Sequence, residues 1–233
     1  MFAKAWCAAL AAWMTFVTPA VAAASQETFD ASATNLIAVL RETAGEVQVQ
    51  ETLEPFGPVH VELPDGREVT VETSWFHFVG DMHIRLVFDS RSELQSASPE
   101  DLQRLALQPQ QALELASANL RRLYGEPVVQ PWTGGLHRIT GRADDLNSSY
   151  FIDRAFWSRL ESDHPAGLVV AVPQRAGLLF APADDREAIA TLRFSAVALY
   201  SSSPRRRVSS ALYLFKDGHW SVFQPPLGAA TRQ

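Results

Sequence analysis

Two histidines and an aspartate lie close together in one aromatic-rich segment, and their side chains are the best suited to hold a metal ion. They are His77, Asp81 and His83. Imidazole and carboxylate groups suit zinc or another divalent cation. However, a separation of six residues does not place the two histidines on one helical face. Histidines packed at a surface or interface are the simpler interpretation. We therefore expect no resident cofactor and keep these three residues as candidate metal ligands.

A histidine followed by carboxylates is the best candidate for acid–base catalysis. His137 falls on a predicted strand, and Asp144 and Asp145 fall in the loop after it. A carboxylate that orients an imidazole is a common catalytic unit. The same aspartates are also typical of an ordinary turn, and Asp153 suits a helix N-cap. Because the chain has no G-x-S-x-G, H-E-x-x-H, P-loop or G-x-G-x-x-G motif, enzymatic activity is not our first hypothesis.

Arginines in two places are candidates for binding an anion. Arg175 lies in a tight turn between two apolar strands, where a fixed guanidinium can clamp a carboxylate or phosphate. Arg205–Arg207 can contact anionic lipid or form an ordinary solvated loop. Alternatively, Arg175 packs on Trp157 or pairs with the aspartates at 184–185. We keep Arg175 and Trp157 as the candidate ligand-binding residues.

The first 24 residues have the pattern of a secretory signal peptide. Lys4 precedes a mostly apolar run, and the small residues at 20–24 offer the A-x-A pattern that signal peptidase cleaves. An uncleaved membrane anchor is the alternative. Thr15, Thr18 and Pro19 interrupt the apolar run, however, and leave it short for a span of roughly 20 residues. We therefore predict an exported protein, periplasmic or secreted, with no stable membrane span after cleavage.

Composition limits the classes of partner. Removing residues 1–24 removes Lys4, their single charged residue, so the net charge changes from −6 to −7. An acidic chain argues against nucleic acid as the main partner. Cys7 is the single cysteine and leaves with the signal peptide, so the mature chain has no disulfide and no thiolate nucleophile.

The mature chain is predicted to open with a helix. Ala33, Leu36, Ile37 and Leu40 have helical spacing. Thr28 or Asp30 is expected to cap this helix, and Ala44-Gly45 to end it.

The next element is predicted to be a β-hairpin whose register can be argued. A two-residue Asp-Gly turn would place the valines of its two strands on opposite faces. A three-residue loop at 64–66 instead pairs Val61 with Val69 and Val59 with Val71, which keeps one face apolar. We therefore predict the longer loop, with Gly66 in a left-handed conformation.

From residue 109 the chain follows one plan three times: a helix precedes two short strands. Helices are predicted at 109–124, 153–160 and 184–200, each followed by a strand pair. Asp217-Gly218 joins the last pair, and a two-residue turn there pairs Phe215 with Trp220. Because the units show no residue-level identity, the repeat is one of architecture.

Several short motifs of the second half keep the order and spacing of one known family. They are Gly135–Thr140, Ser148–Asp153 with Phe156-Trp157, Gly167–Phe180 and Tyr213–Trp220. Over about residues 105–224 the chain resembles the YtpQ-like family of bacterial proteins of unknown function. It departs from the family pattern at Ala176, where an acidic residue usually follows the arginine. The resemblance implies the fold and no particular activity.

These observations predict an α+β fold of short helices, each followed by an antiparallel strand pair, in mixed sheets with helices on one face. Residues 25–92 are predicted to form an N-terminal α+β part, 93–224 the αββ-repeat domain, and 225–233 a tail.

The complete core pattern without catalytic spacing favours a non-catalytic binding or interaction module of the cell envelope. Its partner would be a protein or a small molecule. Two alternatives stay open: a hydrolase-like enzyme using His137 with Asp144 and Asp145, and an anionic-ligand binder using Arg175 and Arg205–Arg207.

Overall fold

The computed structural model describes residues 31–43, 45, 47–90 and 93–228. The predicted signal peptide at 1–24 and the predicted helix caps Thr28 and Asp30 lie outside the described residues. So does the end of the predicted tail, from 229 to 233.

The described chain alternates short strands and helices. The strands are β1 (Leu36–Glu42), β2 (Val59–Glu62), β3 (Glu68–Val71), β4 (Trp75–His77), β5 (Met82–Asp89), β6 (Leu94–Ser96), β7 (Val128–Pro131), β8 (His137–Thr140), β9 (Leu168–Gln174), β10 (Gly177–Pro182), β11 (Leu212–Lys216) and β12 (His219–Gln224). The α-helices are α1 (Pro99–Arg104), α2 (Pro109–Tyr124), α3 (Arg154–Glu161) and α4 (Arg186–Ser202), and two 3₁₀ segments cover Thr133–Gly135 and Asp144–Ile152.

The predicted N-terminal helix is wrong, because its apolar centre is a strand. β1 pairs antiparallel with β5 along its whole length, from Leu36 opposite Phe88 to Glu42 opposite Met82. Leu36 to Leu40 are all buried, so both faces of the strand are covered. A continuous apolar run suits such a strand as well as it suits a buried helix, and pairing with β5 decides between them.

The β2–β3 hairpin has the predicted register. Val59 lies opposite Val71 and Val61 opposite Val69. The Leu63 N–H donates to the Arg67 carbonyl at 2.8 Å, and Gly66 has φ +79° in the three-residue loop. The hairpin forms a separate two-stranded sheet.

The second half forms one six-stranded sheet from three hairpins. Its strand order is β12-β11-β9-β10-β8-β7, and every pairing in it is antiparallel. Each hairpin follows a helical segment, as the predicted αββ plan requires. The α+β class is therefore confirmed. The last hairpin also has its predicted register, with Phe215 opposite Trp220.

Helices lie against both faces of this sheet, whereas the sequence analysis expected them on one face. On one face, Leu192 of α4 packs in a cluster with Val169 and Leu179. On the other, Trp157 of α3 belongs to the main core with Phe180. The alternation of side chains along β9 and β10 separates these two clusters, since neighbouring residues point to opposite faces.

The main core joins the two halves of the chain. β1, β5, β4 and β6 form the first sheet, and their buried residues share one cluster with those of the six-stranded sheet. The predicted boundary between residues 92 and 93 falls in the connection between β5 and β6, which pair with each other.

Candidate functional site

His83, a candidate metal ligand, has both ring nitrogens engaged. Its Nε2 accepts a hydrogen bond from Arg85 Nε at 2.8 Å, and its Nδ1 lies 2.8 Å from Thr43 Oγ1. Burial, followed by the charges of Arg85 and Arg41, lowers the pKa of the imidazole to about 3. The ring is therefore neutral, with its proton on Nδ1 donated to Thr43.

The other two candidate metal ligands face different neighbours. Asp81 is buried, and its Oδ1 accepts hydrogen bonds from Ser209 Oγ at 2.5 Å and Tyr213 OH at 3.0 Å. His77 is the cross-strand partner of His83, and its ring stacks on Phe56 with the centroids 4.7 Å apart. Within the part of the chain that the structure describes, no group of three or more His, Asp or Glu side chains suits a metal ion.

The candidate acid–base residues are not joined. His137 stacks on Phe180 with ring centroids 4.9 Å apart, and its buried Nδ1 has no hydrogen-bond partner among the described residues. Asp144 and Asp145 open the 3₁₀ segment after the other end of β8, and the strand from His137 to Thr140 spans about 10 Å. Asp145 forms an ion pair with Arg206 at 2.9 Å.

Asp153 has the structural role that the sequence analysis assigned to it. Its side chain caps α3 by accepting from the Phe156 N–H at 3.2 Å, and it also pairs with Arg121 at 2.5 Å. Trp157 in the next turn is fully buried, and its Nε1 donates to the Tyr150 carbonyl at 2.9 Å. Trp157 therefore presents no surface to a ligand in this structure.

The structure does bring together the two predicted arginine segments. The Arg175 N–H donates to the Arg206 carbonyl at 2.9 Å, and the Arg175 guanidinium donates to the Arg205 carbonyl at 3.2 Å. Arg175 thus contacts the loop that follows α4, rather than Trp157, Asp184 or Asp185.

Two of the three loop arginines already have an acidic partner. Arg206 pairs with Asp145, and Arg207 Nε lies 3.9 Å from a carboxylate oxygen of Glu42. The Arg207 guanidinium also lies 5.1 Å from the centre of the Tyr200 ring. Arg205 and Arg175 have no ion-pair partner among the described residues, and of these two only Arg175 is half-buried.

Two further arginines, which the sequence analysis did not identify, lie in the same electrostatic environment. Arg41 is half-buried at the end of β1, and its guanidinium donates to the Leu40 carbonyl at 2.7 Å. Burial, followed by the charges of Arg175 and Arg85, lowers its pKa to about 10, while Asp145 acts in the opposite direction. Arg85 is also half-buried, and its guanidinium lies 3.6 Å from the centre of the Trp75 ring.

Arg41, Arg85 and Arg175 together are called the arginine cluster below. All three are half-buried, and in the described ranges none of them forms an ion pair. Guanidinium groups removed from water without a counter-charge are costly. The cluster can therefore stabilise a bound carboxylate or phosphate group, which would supply that counter-charge.

The position of Arg41 follows only when residues 36–42 are treated as a strand, because the run from Leu36 to Leu40 is apolar throughout and shows no alternation of its own. Along β1, Ile37, Val39 and Arg41 share one face, and Arg41 lies opposite His83. Interpreting this segment as a helix concealed that arrangement. Arg85 gave no comparable signal, because its proximity to the others depends on the pairing of β5 with β1.

Comparisons with known proteins give no relative on which to base a function. No family model, curated protein or solved structure matches this chain. The resemblance to the YtpQ-like family therefore stays a prediction. In the described residues, no helix has the length and apolar character needed to span a bilayer.

Proposed function

We propose that this chain is an exported, non-catalytic binding protein that holds a small anionic molecule by its carboxylate or phosphate group at the arginine cluster. One observation carries the proposal: Arg41, Arg85 and Arg175 are half-buried, the charges of Arg175 and Arg85 act on Arg41, and among the described residues none of the three has an ion-pair partner. Export rests on the signal-peptide pattern of residues 1–24.

Electrostatics supports an anionic ligand. Burial is the main cause of the lowered pKa of Arg41, and the positive charges of Arg175 and Arg85 lower it further, so this position lies in a positive electrostatic environment. A bound anion would reverse that effect, because an opposite charge favours the protonated guanidinium.

The donor geometry supports the same ligand class. A guanidinium carries five N–H donors. Hydrogen bonds occupy one guanidinium nitrogen in each of Arg41, Arg85 and Arg175, so further donors remain for a ligand.

A small dissolved anion suits this protein better than a membrane surface. The mature chain would have a net charge of −7, which repels an anionic bilayer as a whole. Local acidic groups, such as Asp145 beside Arg206 and Glu42 beside Arg207, also neutralise the exposed loop. The non-catalytic part of the proposal is supported by the separation of His137 from Asp145.

Isothermal titration with inorganic pyrophosphate, using the mature chain at low salt, tests this function. Arg41→Gln and Arg175→Gln should each weaken binding by about 10-fold or more, because a hydrogen bond to a charged group contributes about 1.5–3 kcal/mol. Arg193→Gln is the matched control, because it makes the same change in net charge at an exposed position of α4. Equal affinity in all three variants, or no binding by the parent chain, would contradict the proposal.

Two further measurements distinguish a dissolved ligand from a lipid surface and test whether the signal peptide is cleaved. Retention on phosphatidylglycerol vesicles that exceeds retention on phosphatidylcholine vesicles, without pyrophosphate binding, would instead indicate a lipid surface. The intact mass of the protein from the envelope fraction of its host should correspond to a chain that lacks about residues 1–24. A mass that includes them would contradict cleavage.

A further inference from the structure

A large aromatic side chain lies exposed on the face of α4 that is turned away from the six-stranded sheet. Leu192 and Ala196 are buried against the sheet. Phe194 is two residues from both of them, which places it on the opposite side of the helix. Its side chain is 80% exposed, the highest fraction of any large apolar residue that the structure describes.

The residues around Phe194 on this outer face are uncharged. At helical spacing, the face is shared by Ala190, Val197, Ala198 and Ser201. The outer side of a surface helix usually carries charged and polar residues. An uncharged outer face centred on an exposed phenyl ring is instead typical of a helix that packs against a partner on that side.

The two ends of α4 carry opposite charges that are available to a partner. Asp184 and Glu187 lie at the beginning of the helix, and Arg205 follows its end. All three are exposed, and within the described ranges none of them forms an ion pair. Arg186 and Arg193 are seven residues apart and therefore lie along one flank of the helix, beside the outer face.

We propose that α4 is the contact surface between two copies of this chain, paired antiparallel about a two-fold axis at Phe194. Phe194 is the middle residue of the 17 in α4, so this arrangement covers the helix along its full length of about 25 Å. Positions equally far before and after Phe194 then lie opposite each other. Ala190 faces Ala198 of the second copy, and these small side chains allow the two phenyl rings to pack together. Asp184 of each copy lies beside Arg205 of the other.

Self-complementarity favours a second copy over other occupants of this face. A two-fold contact presents the same patch from both partners. The outer face of α4 meets this requirement, because its acidic beginning lies against the basic end of an antiparallel copy. A lipid surface instead favours lysine and arginine around the apolar face, whereas Asp184 and Glu187 border it here. The pairing does not depend on anion binding at the arginine cluster.

Sedimentation velocity over a range of concentrations tests the pairing, using protein expressed with its own residues 1–24. The parent chain should dimerise. Phe194→Ser should raise the dissociation constant by about 100-fold, because each copy loses one buried phenyl ring and each ring contributes about tenfold. Val128→Ser is the control, because Val128 is 53% exposed on β7, away from α4, and should leave the constant unchanged.

Three results of this measurement would overturn the proposal. The first is a parent chain that stays monomeric at every soluble concentration. The second is a dissociation constant that Phe194→Ser does not change. The third is a monomeric parent chain that binds phosphatidylglycerol vesicles and loses that binding in Phe194→Ser, which would indicate a lipid surface.

Charge reversal tests the antiparallel orientation and the identity of the partner. Asp184→Arg and Arg205→Asp should each weaken self-association by about tenfold at low salt, because like charges then meet twice across the two-fold axis. Both residues are exposed, so the thermal unfolding midpoints should match that of the parent. An equimolar mixture of the two variants should associate as tightly as the parent, since opposite charges again meet at both contacts. A mixture that associates no better than either variant alone would overturn the inference.

Discussion

Asp81 accepts a hydrogen bond from the Ser209 hydroxyl at 2.5 Å, although 128 residues separate them in the chain. Asp81 precedes β5 of the first sheet, and Ser209 precedes β11 of the six-stranded sheet. Tyr213 OH donates to the same carboxylate oxygen at 3.0 Å. These buried hydrogen bonds link the N-terminal sheet to the six-stranded sheet.

Two replacements of Asp81 should show how much its hydrogen bonds contribute to the free energy of unfolding. One replacement removes the acceptor oxygen, and the other removes only the charge. Asp81→Ala should reduce the free energy of unfolding by about 2–4 kcal/mol, because the hydroxyls of Ser209 and Tyr213 lose their acceptor. Asp81→Asn keeps an oxygen acceptor and should cost less. Urea unfolding measures both values, and an equal loss in the two variants would contradict this interpretation.

The same residue should make stability fall as pH rises above the ordinary pKa of an aspartate. Burial raises the pKa of Asp81 above 3.8 in spite of its two donors, and the charge of Glu42 acts in the same direction. The folded chain therefore holds this proton at pH values where the unfolded chain has released it, so the stabilisation is lost as pH rises through the folded pKa. The parent chain should show this slope relative to Asp81→Asn. Parallel pH profiles of unfolding free energy would contradict it.

His83 should act in the opposite direction. Its pKa is about 3 when folded and near 6.5 when unfolded, so only the unfolded chain takes up the proton between these values. Stability should therefore fall as pH decreases through that window, by up to about 1.4 kcal/mol per pH unit. His83→Gln should remove this slope, whereas His60→Gln, at an exposed position of β2, should retain it. Denaturant unfolding between pH 7 and 4 provides the comparison.

Gly80 should tolerate alanine poorly, because both its conformation and its surroundings require glycine. Its φ is +63°, and an added Cβ would lie 2.5 Å from Tyr213 OH. Gly45 has φ +88° but nothing within 4 Å of an added Cβ, so Gly45→Ala isolates the conformational cost of about 1 kcal/mol. Gly80→Ala should cost at least about 1 kcal/mol more, since it also disturbs the Tyr213–Asp81 contact. Similar thermal unfolding midpoints for both variants would show that Tyr213 moves aside freely.

Trp157→Phe should reduce stability without changing anion affinity. The substitution removes the hydrogen bond to the Tyr150 carbonyl and leaves space in the aromatic core, at a cost of about 2–3 kcal/mol. Trp132→Phe is the control, because Trp132 is 42% exposed and should cost much less. Pyrophosphate titration of Trp157→Phe should match the parent chain. Weaker pyrophosphate binding by Trp157→Phe, with no such change in Trp132→Phe, would indicate that Trp157 contributes to ligand binding.

Local sequence was sufficient to predict the hairpins and one helix cap. Turn chemistry together with the alternation of apolar residues pairs Val61 with Val69, the two-residue turn pairs Phe215 with Trp220, and both registers are confirmed. Asp153 caps α3 as predicted. α4 begins at Arg186, two residues later than predicted, with Asp185 as its N-cap. In these places the interacting residues are only a few positions apart, so short-range rules are enough.

The candidate site was only partly predictable, because its members come from distant strands. Arg175 and Arg205–Arg207 stand out by their position in turns, and the structure joins them. Arg41 and Arg85 come together only because β1 pairs with β5, which places Arg41 opposite His83, two residues before Arg85.

By itself, the sequence determined the α+β class, the order of the αββ units and the registers of the two hairpins. The tertiary structure decided that residues 36–42 form a strand, because β5 satisfies its backbone hydrogen bonds and the core covers both its faces. It also decided which charges accumulate at Arg41 and which donors surround Asp81. Long-range pairing and burial control these properties, since the electrostatic cost of a charge depends on what the whole fold places beside it.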